Sequence, residues 1–264
     1  MTLIQMLMAR RTKTQVVWTA IDGDIVEYKL PAPHQEVLLG VKWGRAEEFG
    51  TPAFWKVQSD AHRKLNLYQS HRLGADLIEE VAACVLGGYG IPAELGLAAF
   101  ARLRDDGLLS GDATAAELER ALLSPFYVRG TQRSYRFARQ KAKHLEQALR
   151  LVQRNAFAVS GRELRDQLLS LPGVGLKTAS WIVRNHLNSD DVAILDVHVV
   201  RACAGMGLFP ASASPQRNYY ELEKLFLMFC SRLAEPASLV DALIWDYMRR
   251  VGYDKRSVLR ARAA

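Results

Sequence analysis

Hydrophobic positions in the last three quarters of the chain recur every three to four residues, the spacing that places them on one side of an α-helix. This pattern predicts about nine helices joined by short connections. The segments that carry it are 75–88, 92–107, 114–123, 133–155, 161–171, 177–185, 196–207, 219–233 and 239–251. The sequence therefore predicts a mainly α fold.

The first sixty residues follow a different pattern. Two runs of β-branched and aromatic residues flank Asp22-Gly23, a pair typical of the tight turn in a β-hairpin. Proline and glycine interrupt residues 31–55, so we expect loops there with one strand over 36–41. We expect a strand-containing N-terminal cap over residues 1–60 and a helical region over 61–264.

Length, cysteines and charge narrow the class of protein. The 264 residues suffice for one large or two modest domains. No apolar run approaches the roughly 18 residues of a membrane-spanning helix, and the N-terminus lacks a leader cleavage site, so we expect a cytoplasmic protein with no membrane partner. The three cysteines are far apart and indicate neither a disulfide framework nor a metal site. The net charge of +7 suits a nucleic-acid partner, although it is also an ordinary means of staying soluble.

The stretch LPGVGLKTASWIVRN, residues 171–185, joins two of the predicted helices. The first helix stops at Pro172, and a second begins near Leu176. Between them we expect Gly173 and Gly175 to form a turn that tolerates positive φ. Glycine lets a phosphate approach the backbone closely, and the free N–H groups of the turn and of the next helix can donate to it. The arrangement is a helix–hairpin–helix, which holds DNA without reading its sequence.

A nucleotide-binding phosphate loop is an alternative interpretation, because Gly175, Lys177 and Thr178 lie close together. That motif needs the lysine directly after a glycine, and here Leu176 intervenes. It also needs another glycine where Ser170 stands, and a strand rather than a helix before the loop. We therefore reject this interpretation.

Lys177 and Asp196 each have a purely structural explanation, as an exposed helix residue and as a helix N-cap. Together, however, LPGVGLKTA followed at this spacing by ILDVHVVR resembles the helix–hairpin–helix DNA glycosylase superfamily in its lysine-bearing, 8-oxoguanine branch. The resemblance implies a two-lobed helical fold, with lobes over about 75–185 and 186–264 beside a cleft. It also implies that Lys177 attacks the sugar of a flipped-out nucleotide and that Asp196 assists.

The chemistry of these two residue types agrees with those roles. A lysine amine is protonated at neutral pH and must lose its proton before it attacks. The first turn of a helix and burial under DNA both favour the free amine, which can then form a Schiff base. A carboxylate at Asp196 can stabilise positive charge on the sugar and transfer protons during the imine steps.

The resemblance extends to further site residues, each of which has a structural alternative. It implies DNA contacts for Gly173, Val174, Gly175, His198, Tyr89, Arg136 and Lys141, and a base pocket that includes Asp241 and Trp245. His198 and Trp245 are equally explained by packing, and the basic helix around Arg136 by solvation. Tyr89 stands in GGYGIP, where many relatives carry a polar segment that wedges into the duplex, so the excised base and the base opposite stay open.

We expect neither a metal nor a cofactor. Relatives with an iron–sulfur cluster use four cysteines beyond the catalytic region, where this chain has only Cys203 and Cys230. The resemblance implies a monomeric, bifunctional DNA glycosylase and β-lyase that acts on double-stranded DNA, with 8-oxoguanine as the first expected base. One alternative is a glycosylase for another modified base, such as a hypermodified base in foreign phage DNA. The other is a helix–hairpin–helix module that binds DNA without chemistry.

Overall fold

Ten helices and six short strands make up the described part of this computed structural model, residues 13–67, 71–88 and 90–251. The helices are α1 (Pro52–Lys64), α2 (Leu77–Leu86), α3 (Ala93–Asp105), α4 (Ala115–Leu123), α5 (Ala138–Arg154), α6 (Gly161–Leu168), α7 (Leu176–Leu187), α8 (Val197–Gly205), α9 (Pro215–Leu233) and α10 (Ala237–Val251). The strands are β1 (Thr14–Ile21), β2 (Asp24–Pro31), β3 (Glu36–Leu38), β4 (Val41–Lys42), β5 (Phe126–Val128) and β6 (Thr131–Arg133). The predicted mainly α fold with a small strand-containing N-terminal region is confirmed. Within these ranges no helix combines the length and apolar character needed to cross a membrane.

The predicted N-terminal hairpin is confirmed. β1 and β2 pair antiparallel around Asp22 and Gly23, whose φ angles are 53° and 87°. Positive φ at both central residues is what a type I′ turn requires. The single strand expected over 36–41 is instead two short antiparallel strands, β3 and β4, because the chain turns at Gly40 with a φ of 78°.

The prediction of loops over residues 31–55 is wrong from Pro52 onward, because α1 begins there. Thr51 is its N-cap, and the Thr51 hydroxyl accepts a hydrogen bond from the Phe54 N–H at 3.1 Å. Proline suits the first helical position, where an N–H has no partner within the helix. Trp55 is fully buried, so packing holds the helix in place. The Thr-Pro pair that suggested a loop is a helix start.

A second hairpin, formed by β5 and β6, lies between α4 and α5 and was not predicted. Arg129 and Gly130 turn the chain, with φ angles of 50° and 73°. The helix expected over 133–155 consequently begins later, at Ala138. Phe137, directly before it, has a φ of 67°, which is a rare and strained conformation for an aromatic residue.

The described residues form two compact units, one from within 1–69 and 195–264 and the other from within 70–194. The first unit contains β1 to β4, α1 and α8 to α10, and its largest fully buried side chains are Trp55, Phe209, Phe226 and Phe229. The second unit contains α2 to α7 with β5 and β6, and packs around a continuous apolar core from Val81 to Val192. All three cysteines are buried. The predicted cap over 1–60 and lobes over 75–185 and 186–264 stay predictions.

Candidate active site

A tight turn joins α6 to α7 and forms the predicted hairpin. Gly173 has a φ of +80°, and a Cβ added there would lie 2.9 Å from Cγ of His144. Gly175 has an ordinary φ of −102°. The turn therefore uses positive φ at Gly173 and not at Gly175. The hairpin needs Gly173 for its shape, whereas backbone conformation places no such demand on Gly175.

The N-terminus of α7 is open. Gly175 is its N-cap. Among the described residues, no side chain makes a capping hydrogen bond there, and a Cβ at Gly175 would meet no atom within 4 Å. Val174 anchors the turn, since its side chain is buried and its N–H donates to the Leu171 carbonyl at 3.1 Å. The first N–H groups of a helix have no intrahelical partner, and its dipole is positive at this end. This surface is suited to an anion such as a phosphate group.

Lys177 lies in the first turn of α7, at the edge of this open surface. Its side chain is half-buried, and the Lys177 Nζ is 5.2 Å from the centroid of the Trp181 ring. Trp181 follows one helical turn later, so the two side chains share a face of α7. The amine is therefore held against an aromatic ring.

Lys141, expected on an exposed basic face of α5, is half-buried and turned inward. Its Nζ donates to the Val85 carbonyl at 2.5 Å and lies 3.4 Å from the Gly87 carbonyl. Burial, and to a lesser extent the charge of Lys177, lowers the pKa of Lys141. The contact satisfies carbonyls at the C-terminal end of α2, where a cation is favourable. The expected phosphate contact of Lys141 stays a prediction.

Arg136 and Phe137 form an exposed step before α5. The Arg136 guanidinium lies 4.7 Å from the centroid of the Phe137 ring, and a Cβ at Gly90 would be 3.5 Å from that ring. The step therefore borders the GGYGIP loop. Tyr89, the expected wedge in that loop, lies outside the described residues. A cavity of about 540 Å³ opens beside the step, and its lining residues are Leu123, Tyr135, Phe137, Ala138, Arg139, Gln140 and Lys143.

Asp196 is the N-cap of α8. Its Oδ1 accepts hydrogen bonds from the backbone N–H groups of His198 and Val199, each at 2.9 Å. The structural explanation of this aspartate as a helix cap is confirmed, and its catalytic role stays a prediction. The His198 Nδ1 is buried and has no hydrogen-bond partner among the described residues. An external phosphate could therefore reach the His198 ring only through Nε2.

The two expected base-pocket residues lie on α10, in the unit that also holds Asp196. Asp241 is 1% exposed, whereas Trp245 is 36% exposed and carries the Arg249 guanidinium 4.5 Å from its ring centroid. Trp245 is thus not a core residue. Across residues 13–67, 71–88 and 90–251, no group of three His, Cys, Asp or Glu side chains is arranged to hold a metal ion.

Two residues of the site were not predicted. Trp181 had a signal in the sequence, because it stands four positions after Lys177 on a predicted helix and so shares its face. Phe137 had no such signal in the sequence, because the spacing of hydrophobic residues does not reveal a positive φ at an aromatic residue. The inward turn of Lys141 likewise depends on α2, more than fifty residues earlier in the chain.

Known proteins resemble this chain in sequence. Residues 61–235 match the family described as 8-oxoguanine DNA glycosylase. The 8-oxoguanine DNA glycosylase/AP lyase of Metallosphaera sedula is 35% identical over 83 residues, which are 31% of this chain and 40% of the relative. The protein of the same name from Saccharolobus islandicus is 29% identical over 121 residues, 42% of this chain and 58% of the relative. The chain thus spans about half the length of the curated relatives it matches.

A solved structure shows the same fold. The 8-oxoguanine DNA glycosylase of Thermotoga maritima superposes with a TM-score of 0.58 at 22% identity, over 76% of this chain and 96% of that chain. The family match covers well over half of the chain and includes the hairpin, Lys177 and Asp196. The resemblance drawn from LPGVGLKTA and ILDVHVVR is confirmed, and the chain belongs to the 8-oxoguanine DNA glycosylase family.

Proposed function

We propose that this protein is a bifunctional DNA glycosylase and AP lyase that removes a damaged base, with 8-oxoguanine as the first expected substrate. The observation that carries the proposal is the position of Lys177. Its amine lies in the first turn of α7, directly after an uncapped, exposed hairpin, in a chain of this family. That position puts a nucleophile beside a surface suited to a DNA phosphate.

The hairpin would hold the DNA backbone. The open N–H groups at the start of α7 donate to a phosphate, and the absence of a side chain at Gly175 leaves room for it. The exposed Arg136 and Phe137 offer a cation for a second phosphate and an aromatic face for an unstacked base. Excision requires that the target nucleotide be extruded from the duplex.

Lys177 would supply the covalent step. The neutral amine nitrogen bonds to the sugar C1′ while the glycosidic bond breaks and the base leaves with the bonding electrons. Opening of the sugar ring gives a protonated imine, and loss of a proton from C2′ then expels the 3′-phosphate by β-elimination. The Asp196 carboxylate would stabilise the positive charge that develops on the sugar and accept or return protons in these steps.

The base itself would be recognised by the unit that holds α10. Trp245 has an exposed ring and Asp241 is a buried acid on the same helix, so they are candidates for stacking and for polar contacts. We also propose that the protein acts as a monomer, in the cytoplasm and on the nucleoid if the source is bacterial. The substrate of the proposed enzyme is double-stranded DNA that carries the damaged base.

Borohydride trapping tests the proposal. Purified protein is mixed with duplexes carrying 8-oxoguanine, uracil, a hypermodified cytosine or an abasic site, and the covalent adduct is measured. We expect an adduct with the 8-oxoguanine and abasic duplexes that is lost in Lys177→Ala and retained in Lys224→Ala, an exposed lysine of α9.

The pattern of adducts separates the alternatives. An adduct with the hypermodified cytosine alone among the modified bases would replace 8-oxoguanine with that base. No adduct on any duplex, together with tight duplex binding that survives Lys177→Ala, would overturn the enzyme and leave a DNA-binding module.

A further inference from the structure

The Lys177 amine rests on an aromatic ring whose own position is fixed. The Lys177 Nζ is 5.2 Å from the Trp181 ring centroid, within the distance of a cation–π contact. Trp181 packs against Gly87, where an added Cβ would lie 2.9 Å from the edge of the indole. Gly87 in turn lies close to Gly96 on α3, since a Cβ at Gly96 would be 3.3 Å from the Gly87 Cα. The ring has little freedom to follow the amine if the amine moves.

A second amine, from α5, contacts the same glycine that Trp181 packs against. Lys141 holds the last turn of α2 through the Val85 and Gly87 carbonyls, so Gly87 contacts both Lys141 and Trp181. The interaction between the two lysines also contributes to the lowered pKa of Lys141. The half-buried Lys177 therefore has an indole face on one side and a fixed cation nearby.

We propose that Trp181 and Lys141 are positioning residues for the Lys177 amine, with the indole face holding it in place and the Lys141 ammonium favouring loss of its proton. This inference rests on the proposed function. The two residues act in opposite directions on the charge of the amine, because an aromatic face stabilises an ammonium ion whereas a nearby cation destabilises it.

Other charged and titratable groups around the amine are held constant in this comparison. They are Glu80 and Cys84 on α2, His144 on α5 and Arg184 on α7. Glu80 is fully buried and accepts hydrogen bonds from the backbone N–H groups of Leu73 and Gly74 and from Asn185. Burial raises the pKa of the Cys84 thiol well above its usual range, so that thiol stays neutral. The groups whose removal should move the pH response are therefore Trp181 and Lys141.

The test measures the rate of adduct formation with a duplex that already carries an abasic site, at saturating protein and across a pH series. Trp181→Leu should move the midpoint of the pH profile downward by about half a pH unit, the size of one exposed cation–π contact. It should also lower the plateau rate severalfold, because the amine is no longer held. Trp181→Phe keeps an aromatic face and should recover much of both effects.

Substitution of Lys141 should shift the midpoint of the pH profile in the opposite direction. Lys141→Gln should move the midpoint upward, Lys141→Arg should keep it at the wild-type value, and Lys224→Gln serves as a control for loss of one positive charge elsewhere. Duplex affinity and thermal melting are measured for every variant. If Lys141→Gln fails to fold, the inference is judged from the midpoints of Trp181→Leu, Trp181→Phe and Lys141→Arg. Unmoved midpoints in folded Trp181→Leu and Lys141→Gln, or shifts of the same sign, would overturn this inference while the proposed function stands. No wild-type adduct with the abasic duplex at any pH would instead overturn the lyase activity on which it rests.

Discussion

The same substitution at the two glycines of the hairpin should affect two different properties, the stability of the protein and its affinity for DNA. Gly173→Ser places a side chain where φ is +80° and where a Cβ meets the His144 ring. Gly175→Ser places the same side chain where φ is −102° and no atom lies within 4 Å. We expect Gly173→Ser to destabilise the protein and Gly175→Ser to weaken DNA binding without loss of stability.

The magnitudes follow from these two surroundings. A left-handed conformation costs an L-residue roughly 1–2 kcal/mol, and overpacking against His144 adds about 1–3 kcal/mol. A total of about 2–5 kcal/mol corresponds to a fall in Tm of roughly 4–20 °C for a chain of this size. At Gly175 a serine is a slightly better N-cap than glycine, so the Tm should stay within about 2 °C. Its hydroxyl would take an N–H group that a phosphate needs, which should raise the Kd for duplex DNA about tenfold.

Thermal melting followed by circular dichroism measures the first effect, and fluorescence anisotropy with a labelled duplex measures the second. The comparison uses one substitution at two positions two residues apart, so a general effect of serine in the turn cancels. Equal Tm values for the two variants would refute the argument from backbone conformation. Wild-type affinity in Gly175→Ser would refute the hairpin as a phosphate site, whatever the Tm values.

Three further predictions concern other parts of the molecule. Asp196→Asn keeps an oxygen that accepts from the His198 N–H, so its Tm should change by only a few degrees while single-turnover excision falls at least about 100-fold, because the carboxylate charge is lost. Duplex affinity should fall steeply with salt, with log K against log salt giving a slope of about −0.9 for each phosphate contact, and a flat response in a salt titration would exclude a phosphate-based footprint. Burial alone would raise the pKa of Asp60, but hydrogen bonds from Lys64 and Tyr28 outweigh it and lower that pKa. A carboxyl group whose pKa is lower in the folded than in the unfolded state stabilises the folded protein at pH values above the unfolded pKa near 4. That stabilisation is lost as the pH falls through the pKa of the folded state. Melts between about pH 5 and pH 2 should therefore show an acid-induced loss of Tm that is smaller in Asp60→Asn.

Local sequence signals predicted most of the fold. They failed where tertiary packing or an unusual backbone conformation determined where a helix begins. The hairpin at Asp22-Gly23 and the start of α7 follow from residues adjacent in sequence. The helix at Pro52 was missed because proline is a loop signal and a helix-start signal alike, and only burial of Trp55 distinguishes them. The late start of α5 follows from the hairpin before it and from the left-handed Phe137, which helical spacing does not reveal.

The same division between local and distant information applies to the candidate site. The proposed nucleophile is a lysine in the first turn of a helix, directly after a glycine turn. That arrangement is local, so the sequence alone points to Lys177 and its hairpin. What surrounds the amine is not local. Lys141 reaches the end of α2 from a helix more than fifty residues later, and that contact is invisible to a pattern that assigns every lysine of a basic helix to its outer face. Under the proposed function, a sequence motif of this kind therefore specifies the amine that would react, whereas the side chains proposed to position that amine are brought to it by the fold alone.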